Sequence, residues 1–442
     1  MENNDFFGTE KVWKILLQLA PPVMLAQLIQ AVYNIVDSYF IGRYSESGLT
    51  ALSVIFPIQL IIIAVAVGSG VGVNTLLSRY SAKGLKKEIE ETAGTGIFLA
   101  GISWLFFAVI SVLIMRPYAA ISANAQTVIE QAVVYGRIVC VGSIGIFMES
   151  MFSKIHQAGG NMRLPMTAQI IGAIVNIVLD PVLIFGIGIV PRMGMAGAAI
   201  ATVLGQITAA VITAQGAIKK LPAQGKIAGY VKKIYQLGYP SILMQSLYTV
   251  YIVALNVILA GFCDEAVTVL GLYYKVQTFF FIPIGGLQTC IVPVLSYNFA
   301  CRKIKRCRQI VRSSAWMAGV RMFLGTLCFL FFPTELIQIF SHDPKVLRIG
   351  ERAFRIIGIS FIPAVFSLIM PVFFQAIGES FTSVLLSLTR QIFCLIPIFW
   401  FFSLLGLKYT WTAFPVSEFF TGGVGMMLYF RKAKRNFGLE SL

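Results

Sequence analysis

Charge is scarce in this sequence. Only 12% of its 442 residues are Asp, Glu, Lys or Arg, about half of the roughly 25% found in soluble domains. With 57% hydrophobic residues, too little charge remains to cover a water-facing surface, and an integral membrane protein is expected. Histidine is scarcer still, with His156 and His342 the only two. The seven cysteines (Cys140, Cys263, Cys290, Cys301, Cys307, Cys328 and Cys394) are scattered and form no CxxC pair. Neither a metal site nor a disulfide framework is therefore expected. No GxxxxGK[ST] phosphate loop, HExxH or GxSxG occurs. ATP-driven pumping by this chain alone and common hydrolase chemistry are unsupported, so no catalytic residue, cofactor or enzyme activity is predicted.

Acidic residues number 19 against 35 basic ones, a formal net charge of +16. In a soluble domain that excess would suggest nucleic acid. Here the basic residues stand between apolar runs, which points to membrane topology and anionic headgroups, with no nucleic-acid partner. The apolar runs fall at 12–41, 50–77, 93–115, 128–156, 164–187, 195–216, 232–260, 266–297, 312–332, 346–376, 381–405 and 410–430. Each suffices for a span of about 20 residues, so twelve transmembrane helices are predicted. The first run follows Glu2, Asp5 and Glu10 without a cleavage site and reads as a transmembrane helix rather than a signal peptide. The even loops and the C-terminal tail hold 21 basic residues and the odd loops six. The positive-inside rule then places both termini in the cytoplasm.

The chain also repeats itself. An offset of 218 residues pairs Pro22 with Pro240, Gln27 with Gln245, Tyr33 with Tyr251, and Gln59 with Gln277. It continues through Leu77-Ser78 with Leu295-Ser296 and Arg137-Ile138 with Arg355-Ile356. It ends at Gln157-Ala158-x-Gly160 with Gln375-Ala376-x-Gly378. The expected organisation is an amino-terminal six-helix lobe over 1–216, a basic cytoplasmic linker over 217–231 and a carboxy-terminal six-helix lobe over 232–442. Parallel repeats of this kind recur in secondary transporters, with the site at or between them.

Ionisable groups at membrane depth are costly and each needs a reason. Four acids qualify: Asp37, Glu149, Asp180 and Glu418. Asp37 and Asp180 lie roughly 6 and 10 Å from the outer ends of the first and fifth runs. Asn176 is one turn before Asp180, on the same face, and Pro181 removes a backbone donor there. Charge on two carboxylates in a poorly solvated cavity is relieved by a bound cation, a proton or sodium. The competing reading is that both acids only satisfy interhelical hydrogen bonds. In the second lobe Lys275 and Glu418 lie roughly 12–14 Å from their outer helix ends, and Arg390 about 13 Å from its inner end. Arg390 and Glu418 could form a structural salt bridge, or Lys275 or Arg390 could meet an anionic or zwitterionic substrate. Glu149 either faces a cavity or pairs with a neighbouring helix. Arg137 and Arg355 are expected to reach the outer headgroups. Gly68-Ser69-Gly70-Val71-Gly72 is expected to serve close helix packing rather than nucleotide binding.

Several stretches carry a family resemblance: Asn34-x-x-Asp37, Ser78-Arg79-Tyr80-Ser81-Ala82, Gln157-Ala158-Gly159-Gly160, Asn176-x-x-x-Asp180-Pro181, Gly197-Ala198-Ala199-Ile200-Ala201-Thr202 and Pro293-x-x-Ser296-Tyr297-Asn298-Phe299-Ala300. In order and spacing they resemble the multidrug and toxic compound extrusion (MATE) family, over nearly the whole chain. The resemblance implies an all-α integral membrane fold of twelve helices in two pseudo-symmetric six-helix lobes arranged as a V. It implies alternating access and efflux of small organic, often cationic, compounds against proton or sodium entry. It places Asp37, Asp180 and Asn176 at the amino-lobe cation site of the DinF-like branch, with Gln30, Tyr33, Tyr135 and Thr202 around it. The seventh run, Pro240-Ser241-Ile242-Leu243-Met244-Gln245-Ser246-Leu247-Tyr248, lacks the acid of the NorM-like branch, which argues against a carboxy-lobe sodium site. The expectation is thus a monomeric antiporter in the cytoplasmic (inner) membrane of a prokaryote, among membrane lipids. A lipid-linked oligosaccharide flippase of the same superfamily is the alternative. An intramembrane enzyme or a receptor is disfavoured by the repeat and by the lack of a catalytic constellation.

Overall fold

A computed structural model describes residues 6–123, 125–188 and 190–437. Every regular element among them is helical. The principal helices are α1 (Val12–Tyr44), α2 (Glu46–Ala82), α3 (Lys86–Ser122), α4 (Gln126–Val141), α5 (Ile144–Ala158), α6 (Arg163–Phe185) and α7 (Met195–Ala214). They continue with α8 (Gln224–Ala260), α9 (Asp264–Ala300), α10 (Ile304–Phe331), α11 (Pro344–Gly358), α12 (Phe361–Ile377), α13 (Ser380–Leu388), α14 (Ile396–Ser403) and α15 (Ala413–Phe437). A π-helical turn, Thr389–Leu395, joins α13 to α14.

Nine helical stretches among the described residues are long and apolar enough to span a bilayer, or eleven when each of two bent pairs counts as one span. The twelfth predicted span is α15, whose 25 residues rise about 37 Å, enough to cross the roughly 30 Å hydrocarbon core. Glu418 and the basic residues Arg431, Lys432 and Lys434 dilute its apolar character.

The two bends interrupt runs 128–156 and 346–376, each of which the sequence predicts as a single span. They separate α4 from α5 by 40° and α11 from α12 by 54°. The first falls at Gly142-Ser143 and the second at Ile359-Ser360, within one residue of the repeat offset. At each, a serine hydroxyl turns back on the preceding turn: Ser143 Oγ donates to Cys140 O at 2.7 Å and Ser360 Oγ to Ile357 O at 2.6 Å. Such back-bonding competes with the helical ladder and bends it. The Gln-Ala-x-Gly repeat also has a structural purpose. Gly160 (φ 83°) and Gly378 (φ 91°) take the left-handed conformation that ends α5 and α12. The next amides close the turns, Asn161 N to His156 O at 3.1 Å and Glu379 N to Phe374 O at 2.8 Å, a Schellman stop that glycine forms without steric cost.

Polar clasps repeat as well. Asn74 donates to Lys154 O, Gln288 to Leu368 O and Ser296 to Ala376 O. Each joins residues 80 apart, so α2 meets α5 as α9 meets α12.

The chain divides into two compact units. One holds the described residues through Phe7 with Pro21–Gln245; the other holds Gly8–Ala20 with Ser246 onwards. Of the residues expected as a linker, 218–223 are non-helical, and α8 begins at Gln224. The core of the first unit is aliphatic and small, built on Ile41, Ile55, Ile62, Leu77, Leu99, Met115 and Ala198 around Tyr135 and Phe147. That of the second is aromatic: Phe329 stacks on Phe354 at 4.9 Å and packs against Phe361 and Tyr273 at 4.7 and 6.2 Å.

Small residues bring the helices of the first unit close. A side chain at Gly238 of α8 would stand 2.6 Å from Gly68 O, so the α2 glycine run serves packing. A side chain at Gly172 of α6 would stand 2.6 Å from Gly205 O of α7, and the reverse contact is equally close. Gly172→Ala is expected to push these helices apart and to cost roughly 1–3 kcal/mol, as overpacking does. Gly271→Ala, in α9, meets no atom within 4 Å and should leave the thermal unfolding of the purified protein unchanged or slightly raised.

Candidate functional site

The close approach of α6 and α7 sets the site in the first unit. Asn176 stands one turn beyond Gly172, and its Nδ2 reaches Asp180 Oδ1 at 3.4 Å and Thr202 Oγ1 of α7 at 3.5 Å. Asp180 is fully buried; Asn176, Thr202 and Asp37 are 2%, 6% and 6% exposed. Asp37 and Asp180 lie within electrostatic reach of each other. Tyr33 lies within reach of both, and Tyr135 within reach of Asp37 and Tyr33. Gln30 donates to Tyr33 Oη at 3.1 Å, and Gln59 of α2 meets Tyr135 Oη at 3.5 Å. On α1, Gln30, Tyr33 and Asp37 are spaced three and four residues apart, one helix face.

Three oxygens here accept no hydrogen bond among the described residues: Asp37 Oδ1, Asn176 Oδ1 and Asp180 Oδ2. Pro181 continues α6 without an N–H, leaving the Ile177 carbonyl without its usual donor. Buried, unpaired oxygens are rare in folded proteins and call for an explanation. Oxygens of this kind are hard donors, suited to a proton or to a hard cation.

Asn176 lines a cavity of about 80 Å³, with Gln30, Tyr33 and Thr202 and with Glu149, Gln169 and Gln206; Asp37 and Asp180 are not among its lining residues. It holds a few waters or an ion and is far smaller than the roughly 300–1,000 Å³ of drug-sized sites. Glu149 both faces this cavity and is bonded to a neighbour: its Oε1 accepts from Ser153 at 2.7 Å and from Gln169 of α6 at 3.1 Å. Gln169 is not among the site residues expected from the sequence. Its signal was present, since Gln169, Asn176 and Asp180 form one polar stripe at spacings of seven and four on an otherwise apolar helix.

In the second unit, Arg390 and Glu418 form a bidentate pair. Arg390 Nε donates to Glu418 Oε1 and Oε2 at 2.9 and 3.1 Å, and a terminal nitrogen donates to Oε1 at 2.7 Å. Ser367 also donates to Glu418, and Ser417 Oγ donates to Arg390 O at 3.2 Å. Both side chains are largely buried, 16% and 10% exposed. Arg390 lies on the π-helical turn, just before Pro397, whose missing N–H disturbs the ladder there. Tyr251 and Tyr273 surround the pair within electrostatic reach. Lys275 is not brought to it. It is exposed, with its Nζ 5.8 Å from the Phe340 ring centroid, because depth along a helix does not fix the direction in which a side chain leaves it. Arg137 donates to Val112 O at 3.2 Å, and Arg355 pairs with Glu351 at 2.9 Å; both are exposed.

The MatE family model matches this chain twice, over residues 22–182 and 240–401, and the two matches begin 218 residues apart, the repeat offset. A FAD transporter of Shewanella oneidensis is 23% identical over 93% of both chains. The multidrug export protein MepA of Staphylococcus haemolyticus is 23% identical over 91% of this chain and 90% of its own. A solved structure of MATE in complex with MaL6 superposes with a TM-score of 0.90 at 20% identity, covering 98% of this chain and 99% of that one. The twelve-helix transporter fold is thereby shared, and an enzymatic role is excluded by kinship rather than by missing motifs. The chain belongs to the MatE family, the multidrug and toxic compound extrusion transporters.

Proposed function

We propose that this protein exports small organic compounds by cation antiport, with the coupling cation held between Asp37, Asn176 and Asp180. The observation that carries this reading is the set of three unpartnered oxygens on α1 and α6, one of them on Asn176, which lines a cavity sized for an ion. Gln30, Tyr33, Tyr135 and Thr202 form the surroundings, and Glu149 the inner wall. Charge on both carboxylates is costly in so dry a site. Entry of a proton or a sodium ion relieves it and draws α1 towards α6, closing the space that substrate would occupy. The repeat lobes, 1–216 and 232–442 joined by 217–231, are the halves that alternate access in this reading. The coupling ion would be the sole cofactor.

Drug and FAD transporters are both among the relatives, so the substrate class extends beyond cations. With Arg390 committed to Glu418, the pair reads as structural. A prokaryotic cytoplasmic membrane with both termini inside agrees with the distribution of basic loops, and the protein is taken to act as a monomer. The relatives lend no weight to a lipid flippase.

The test is dye efflux from proteoliposomes under an imposed pH gradient or an imposed sodium gradient. One gradient should drive efflux, and it identifies the ion. Efflux indifferent to both would overturn antiport.

A further inference from the structure

A second cavity, of about 810 Å³, lies in the other unit, between α10, α12 and α15. Its wall on α10 is a single stripe. Arg308, Arg312, Trp316 and Phe323 follow at spacings of four, four and seven residues, which places them on one face. Met370 of α12 and Tyr429 of α15 stand opposite. The groove is apolar along its length and cationic at one end, and none of its described lining residues is acidic. From Arg308 to Phe323 the helix rises about 22 Å. That is half of the roughly 40–45 Å bilayer including its headgroup layers, the length of one leaflet.

We propose that this groove binds an anionic glycerophospholipid. Its phosphate would sit on Arg308 and Arg312, and its acyl chains along Trp316, Phe323 and Met370. Arginine suits the headgroup because its planar fork donates two parallel bonds to phosphate oxygens. Both guanidinium side chains are exposed, and neither forms an ion pair among the described residues. Tyr429 lies close to Arg308 at the same end, and Trp316 is 62% exposed, placed as tryptophans are at a bilayer interface. The charge and the length together select a lipid of one leaflet. A soluble anion would leave the apolar length unused, and a neutral lipid would leave two arginines without a counter-charge.

Native mass spectrometry of the full-length protein in detergent tests this, with phosphatidylglycerol and phosphatidylcholine of identical chains in competition. Each interfacial arginine contributes roughly a fivefold preference, so phosphatidylglycerol should be favoured about 30-fold. Arg308→Gln/Arg312→Gln should bring the two lipids close to parity, while Arg308→Lys keeps the preference. Phe323→Ala should weaken both lipids alike and leave their ratio intact, which separates groove loss from charge loss. Equal retention by the unaltered protein, or an unchanged ratio in the double variant, would overturn the proposal. So would displacement of phosphatidylglycerol by equimolar inorganic phosphate, which would mark a headgroup-only anion site, or by a transported dye, which would mark a substrate path.

Discussion

Asp180→Asn and Asp37→Asn are each expected to reduce gradient-driven efflux in proteoliposomes to the level of protein-free vesicles. Asparagine keeps the shape of the side chain and removes its charge, so the helices should still pack. Asp180 is fully buried, and its Oδ1 already meets Asn176 Nδ2, an arrangement that an amide oxygen can retain. What is lost is the change of charge when the cation binds, and with it any reason for α1 and α6 to respond to the gradient. Because the two carboxylates act as one site, the double variant should be no worse than either single one. Substrate that still bound but no longer moved would distinguish lost coupling from lost folding.

Glu418→Gln is expected to have the largest effect on stability. It leaves the Arg390 guanidinium buried without its counter-charge, a change that costs roughly 3–5 kcal/mol. Arg390→Met, which leaves Glu418 unpaired apart from Ser367, should cost a similar amount. Removing both, as Arg390→Met/Glu418→Leu, should recover most of the loss, since a well-packed apolar pair is often as stable as a buried ion pair. Thermal unfolding of the purified variants measures this, with the second unit as the part affected. The double variant also separates the two roles considered for Arg390. It should export substrate normally if the pair is structural, and fail while remaining folded if the guanidinium contacts substrate.

What the sequence could and could not reveal follows from the physics of each feature. The 218-residue repeat was legible because polar matches at one offset do not arise by chance, and the paired bends, stops and clasps follow it. The bends themselves were hidden, since a serine that turns back on its own helix leaves no mark in hydropathy. Asp37, Asn176 and Asp180 could be picked out because charge and amide groups are rare in apolar helices. The closeness of Asn176 to Thr202 depends on Gly172 and Gly205, which let α6 and α7 approach until a threonine reaches an asparagine. Lys275 shows the complementary limit. Its depth was readable, but not its direction. Glu149 does both things considered for it, facing the cavity and bonding Gln169, whose neutral side chain carries no charge to mark it in the sequence. The groove beside Arg308 was invisible as well, because two arginines in a basic loop look like topology until the apolar stripe below them is seen.

The most direct measurement runs the cycle in reverse. An outward gradient of a transported dye, imposed on proteoliposomes, should drive a proton or sodium flux in the opposite direction, recorded by an internal pH or sodium indicator. The account predicts a dye-dependent flux of one of these ions in the unaltered protein and none in Asp180→Asn. Dye movement without movement of either ion, or an undiminished ion flux in the variant, would contradict it.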